Sequence, residues 1–183
     1  MVPVVIFVGD SNSGKTACIE KIIPELKNRG YKIGAIKHAP RGFKLDYEKR
    51  DSYRMTQAGA NTVVISSSDR LGMIKKIDTE LYITDLRKNF LKDVDVIIVE
   101  GCKHEDFPHI AVFKDKIIQG ELRNYREKLI AVICDSEIDD VEKDIVNVPC
   151  FQKHESDKTA SFIIKKIIGK KKRRKYGAKQ ITV

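Results

Sequence analysis

Gly9-Asp10-Ser11-Asn12-Ser13-Gly14-Lys15-Thr16 follows the apolar run Val2 to Val8 and opens a segment with helical spacing. Glycine, four residues, glycine, lysine and a hydroxyl residue, set between a strand and a helix, is the phosphate-binding loop pattern. Glycines at positions 9 and 14 let the backbone turn with no Cβ in the way. Successive N–H groups then point inward and cradle a di- or triphosphate, and the helix start adds its positive dipole end. The Lys15 ammonium reaches the terminal phosphates, and the Thr16 hydroxyl is placed to ligate Mg²⁺. Gly9, Ser11, Asn12, Ser13, Gly14, Lys15, Thr16 and Ala17 are therefore the candidate nucleotide-binding residues, with Lys15 also a catalytic candidate.

Around this loop the chain alternates short apolar runs with amphipathic ones. Val4 to Val8 reads as a buried strand. Ile19, Ile22, Ile23 and Leu26 share one helical face, Pro24 predicts a bend, and Gly30 ends the helix. Tyr31 to Ile36 is a second strand, ending in Lys37-His38. A polar connection, Ala39 to Arg50, leads to a helix start at Asp51-Ser52 and on to Gly59. Asn61 to Ile65 and Arg70 to Ile77 form a hairpin across the turn Ser66-Ser67-Ser68-Asp69. Thr79 caps a predicted helix through Leu91. Val94 to Val99, Ile110 to Phe113 and Leu129 to Cys134 are further strands, and a last helix starts at Ser156 or Asp157. The expected fold is α/β: a three-layer P-loop NTPase with a mainly parallel central sheet and one antiparallel hairpin. Its expected domain is residues 1–169, followed by a basic tail, 170–183.

Charge supports that division. The formal net charge of the 183 residues is +9. Nine lysines and arginines fall between Lys165 and Lys179, and no acid follows Asp157, so residues 1–164 balance. The basicity belongs to the tail, which leaves a nucleic-acid-binding body without support. No apolar stretch approaches the ~18 residues a membrane span needs. The N-terminal run meets Asp10 too soon for a signal peptide. Four scattered cysteines without a Cys-x-x-Cys pair indicate reduced thiols of a cytoplasmic protein.

In open α/β sheets the ligand sits at the C-terminal strand ends. Asp95 opens its strand and Glu100 closes it, roughly 16 Å apart on the strand rise. Glu100 is therefore the candidate acid that shares the metal with Thr16. Lys37 and His38 end a strand and face the same crevice. The polar loop behind them carries Asp46, Lys49, Asp51 and Arg54, where hydrolysis residues commonly sit. Lys103-His104 with His109 lacks a second ligand cluster and is no metal site.

The assembled pieces resemble the molybdopterin-guanine dinucleotide biosynthesis protein B family over about residues 3 to 168. The matching stretches are Gly9 to Thr16, Arg29-Gly30 with Ile36-Lys37-His38, Phe43 to Ala60 and Val96 to Lys103. Lys49-Arg50-Asp51-Ser52-Tyr53-Arg54 followed by Ala58-Gly59-Ala60 is the most specific. Cys102 stands where the family has an aromatic residue, Ala39-Pro40-Arg41 where it has further histidines, and Tyr47-Glu48 where it has proline-glycine. The resemblance implies a GTP-binding, slowly hydrolysing homodimer that assists the guanylyltransferase attaching GMP to molybdopterin. It implies phosphate and Mg²⁺ binding by Gly14, Lys15 and Thr16, completion of the metal site by Glu100, and a hydrolysis role for Asp46 or Asp51. No asparagine-lysine-x-aspartate signature reads guanine. Asp135, at a late strand end, is the candidate, and the guanine preference itself comes from the resemblance. A small-molecule or nucleotide kinase on the same fold is the alternative; Arg41, Arg50 and Arg54 would have to supply its lid. The tail would dock on an acidic partner or hold anionic molybdopterin.

Overall fold

The computed structural model describes residues 1–48, 50–114, 122, 125, 127–135 and 147–169. Lys49 and the tail from residue 170 onward, both part of the sequence reading, lie outside the described residues. The described chain falls into two compact units. One joins Met1–His38 to the described residues from Arg87 onward; the other is Ala39–Leu86.

The first unit is built on a six-stranded sheet with the order β2-β5-β1-β6-β7-β8. The strands are β1 (Val4–Val8), β2 (Ile33–Lys37), β5 (Val96–Glu100), β6 (His109–Val112), β7 (Leu129–Cys134) and β8 (Cys150–Gln152). Every pairing in it is parallel. All five residues of β1 are buried, as a strand flanked on both sides and covered on both faces requires. Val5, Phe7, Val96, Ile98, Ile110, Val112, Ala131 and Ile133 pack one core face against Ile19, Ile22 and Leu26 of α1 (Lys15–Asn28). Ala160 and Ile163 of α4 (Ser156–Ile163) join that cluster, and Arg29 Nη2 donates to the Asp157 carbonyl at 3.1 Å. Alternate residues Val4, Ile6, Ile97, Val99 and Val132 turn to the opposite face and are buried too. A π-helical turn, Ile164–Ile168, extends α4.

α1 runs through Pro24 as one helix. Two differences from the sequence reading have local causes. The helix expected from Thr79 begins later, as α3 (Ile83–Phe90), because the Tyr82 carbonyl takes the first-turn amides of Asp85 and Leu86. β8 was not anticipated: at three residues, just after Pro149, it is too short for a periodic signal.

The second unit holds α2 (Asp51–Gln57) and the hairpin β3 (Thr62–Ser66) and β4 (Leu71–Lys75). The hairpin pairs antiparallel from Thr62↔Lys75 to Ser66↔Leu71. Its turn is closed by the Ser67 N–H donating to the Arg70 carbonyl at 2.9 Å. Val63 is buried there, whereas Val64, Ile65, Leu71 and Met73 are exposed. Among the described residues no helix is long and apolar enough to cross a membrane.

Candidate functional site

The phosphate-loop residues connect the end of β1 to the start of α1. Gly9 has φ 140°, and a Cβ there would lie 2.2 Å from the Val112 carbonyl oxygen. Only glycine fits, because both the left-handed backbone and the neighbouring strand exclude a side chain. Gly14, at φ 95°, caps α1 without a side chain, so the first amides of the helix face the loop. Ser13 is buried, and its Oγ has no hydrogen-bond partner. Lys15 Nζ folds back on the loop, donating to the carbonyls of Gly9 at 2.9 Å and Asp10 at 2.6 Å. Burial lowers the pKa of its ammonium, opposed by the nearby Glu100 and Asp10 carboxylates.

Register sets the rest of the site. β5 lies between β1 and β2, so Glu100 is level with Phe7 on one side and Lys37 on the other. Glu100 Oε2 accepts from Thr16 Oγ1 at 2.9 Å. Its Oε1 accepts from Lys37 Nζ at 2.7 Å. Asp95 lies before the other end of the strand, where its Oδ2 accepts from the Lys32 N–H. Ser11, Asn12, Gly14, Lys15, Thr16, Ala17, Lys37, His38, Glu100 and Gly101 line one open cavity of about 600 Å³. Thr16 and Glu100 thus offer two oxygen ligands side by side, facing a chamber lined with loop amides and lysines. That is the donor chemistry of a magnesium ion that keeps several waters.

Asp135 follows β7 on the other side of β1. Its Oδ2 is 2.7 Å from Lys153 Nζ, which also donates to the Lys114 carbonyl at 2.9 Å. Lys153 lies over the loop: a Cβ on Gly14 would meet its Cε at 3.3 Å. Lys153 follows the unanticipated β8 and was missed for that reason. Cys18, in the second turn of α1, is buried. Desolvation raises the pKa of its thiol, with Lys153 and Lys21 acting against that and Asp135 adding to it, so it is an inert core thiol.

Asp46 and Asp51 belong to the second unit. The Tyr47 N–H donates to Asp46 Oδ1 at 3.0 Å, and Asp51 begins α2 with Arg54 Nη1 at 3.5 Å. His109 is buried on β6, packed edge-on to Tyr125 with ring centroids 6.2 Å apart. Among the described residues no cluster of three or more metal-ligating side chains forms. No disulfide joins the four cysteines.

Comparison with known proteins bears on this site. The family model described as molybdopterin guanine dinucleotide synthesis protein B matches residues 4–135. The chain is 31% identical over 151 residues to the molybdopterin-guanine dinucleotide biosynthesis adapter protein of Haemophilus influenzae, covering 81% of this chain and 84% of that protein. To the Escherichia coli adapter protein of the same name it is 34% identical over 121 residues, 63% of this chain and 67% of that one. A crystal structure of molybdopterin-guanine biosynthesis protein B aligns with a TM-score of 0.69 at 26% identity, covering 88% of this chain and 97% of that one. The Bacillus subtilis MobB structure shares the fold, with a TM-score of 0.72 at 23% identity over 91% of this chain and 99% of that one. With the phosphate loop, the Glu100 strand and the family match all falling within residues 4–135, this chain belongs to the molybdopterin guanine dinucleotide synthesis protein B family.

Proposed function

We propose that this chain is a GTP-binding adapter of molybdopterin guanine dinucleotide biosynthesis that hydrolyses its nucleotide slowly. In this reading it works in the cytoplasm, as a homodimer, beside the guanylyltransferase that joins GMP to molybdopterin. The observation that carries the nucleotide half is the 2.9 Å contact between Thr16 Oγ1 and Glu100 Oε2 beside a collapsed Lys15. The adapter half rests on family membership.

The chain's own groups divide the work. Loop amides from Ser11 to Ala17 and the Lys15 ammonium hold the phosphate oxygens. Thr16 and Glu100 would hold Mg²⁺, which supplies charge neutralisation between the terminal phosphates when bound. Asp135, steadied by Lys153, presents an acceptor-only carboxylate suited to the adjacent N–H donors of guanine and mismatched to adenine's acceptor edge. Asp46 or Asp51 would orient the attacking water. The exposed Val64, Ile65 and Leu71 of the hairpin favour a self-association surface, since apolar area in that concentration marks an interface.

Competition of GTP against ATP, with and without Mg²⁺, tests this reading. A hundredfold excess of ligand over Kd contributes about 2.7 kcal/mol, hence a Tm rise of ~5–10 °C for GTP with Mg²⁺. Lys15→Ala should weaken binding by about a hundredfold or more. No Tm rise with any nucleotide would end the reading.

A further inference from the structure

Glu100 divides its two carboxylate oxygens between a hydroxyl and an ammonium. Oε2 takes the Thr16 hydroxyl and Oε1 the Lys37 ammonium. The carboxylate side chain is only 17% exposed, while the lysine side chain is 65% exposed. A bare, mostly covered carboxylate would be unfavourable for itself and would repel phosphates entering the same cavity. Lys15 does not neutralise it by contact, because its ammonium is bonded to the Gly9 and Asp10 carbonyls. Among the described residues the cation in contact with Glu100 is Lys37. Lys37 ends an edge strand, and the ion pair is open to water on the cation's side. Such a pair is weak enough to exchange. A flexible stem with three donors can turn to another acceptor in the cavity it already lines.

We propose that Lys37 is a placeholder cation, which holds the Glu100 carboxylate until a divalent metal takes it, so that Lys37 and the metal compete for one acid. This rests on the nucleotide-and-magnesium reading above and adds a positioning role for a residue outside the phosphate-loop pattern. Without a divalent ion, Lys37 neutralises Glu100 and lets phosphates approach. With the ion bound, the ammonium is released inside the same cavity. Removing the ammonium therefore weakens metal-free nucleotide binding and tightens the coupling between nucleotide and metal.

The experiment measures the affinity of the full chain for fluorescently labelled GDP in EDTA and in saturating Mg²⁺. It compares the wild type with Lys37→Met, Lys37→Gln, Lys37→Arg, Glu100→Gln and the Lys37→Met/Glu100→Gln double variant. The ratio of the EDTA Kd to the Mg²⁺ Kd should rise about fivefold in Lys37→Met and Lys37→Gln and stay within about twofold of wild type in Lys37→Arg. In the Glu100→Gln background, Lys37→Met should change the ratio little, because the shared acid is gone. An unchanged or smaller ratio in a Lys37 variant with a wild-type unfolding midpoint overturns the proposal and leaves the phosphate-loop reading standing. Failure of the wild type to bind labelled GDP in either buffer overturns the phosphate-loop reading, and the proposal with it.

Discussion

Two carboxylates stand at strand ends on opposite sides of the phosphate-loop strand, each with a lysine at 2.7 Å, and their exposures are reversed. At Glu100 the acid is covered and its lysine is open, 17% against 65% exposed. At Asp135 the lysine is covered and the acid is open, 15% against 55%. Distance alone would make these the same ion pair. Burial makes them different devices. On the proposal above, Glu100 is a metal ligand and Lys37 its exchangeable cation. Asp135 is a presented acceptor whose cation is fixed, because Lys153 is also bonded to the Lys114 carbonyl and lies over Gly14.

The strongest way to break this contrast is to remove each lysine. Lys153→Ala loses two charge-assisted hydrogen bonds and the packing over Gly14, so it should cost about 2–3 kcal/mol in urea unfolding. Lys37→Ala leaves the covered Glu100 carboxylate with the Thr16 hydroxyl alone and should cost less, about 1 kcal/mol. Equal costs would erase the distinction. A second comparison sharpens the role of the open acid. Xanthine replaces the guanine amino donor with a carbonyl, which an amide can serve and a carboxylate cannot. Asp135→Asn should therefore shift GTP-over-XTP preference by about tenfold, read by competition binding, while Glu100→Gln leaves that preference alone and changes only the Mg²⁺ dependence. Preference unmoved by Asp135→Asn would remove Asp135 from the base site.

The smallest effect belongs to a buried titratable group without a partner of this kind. Neither ring nitrogen of His109 has a hydrogen bond of ordinary geometry, and the nearby Glu105 carbonyl only partly favours its protonated form. Desolvation first, then the Lys128 ammonium, lowers its pKa below the ordinary 6.5. Below pH 6.5 the unfolded chain takes a proton that the folded chain resists, so stability is full above that pH and falls as pH drops toward the lowered folded value. Melting temperature should decline through that window, and His109→Leu should flatten the decline. An equal slope in both proteins would place the acid sensitivity elsewhere.

Much of this architecture was legible in the chain because the signals were local. Leu129 to Cys134 was readable from its length and apolar run and forms β7 with those bounds. The last helix begins at Ser156, the earlier of the two starts expected, Ser156 or Asp157. The hairpin followed from the β-branched run Thr62 to Ile65 and the run Arg70 to Ile77 around a Ser-rich turn. β8 and Lys153 were illegible, since three residues carry no period and the strand is defined by its pairing along β7. The roles proposed for Asp46 and Asp51 rest on their position in a polar loop.

By itself the sequence determined the phosphate loop, the family, the parallel α/β class and the place of Glu100 at the end of its strand, because spacing along one strand or one turn decides each of these. The tertiary structure decided which residues meet. β5 enters between β1 and β2, neighbours in sequence that are separated in the sheet. That crossover sets Glu100 against Thr16 and Lys37, from three separate stretches of chain. The opposite exposures of the two ion pairs arise in the same way. Burial depends on what packs from every other part of the chain, and no local pattern encodes it.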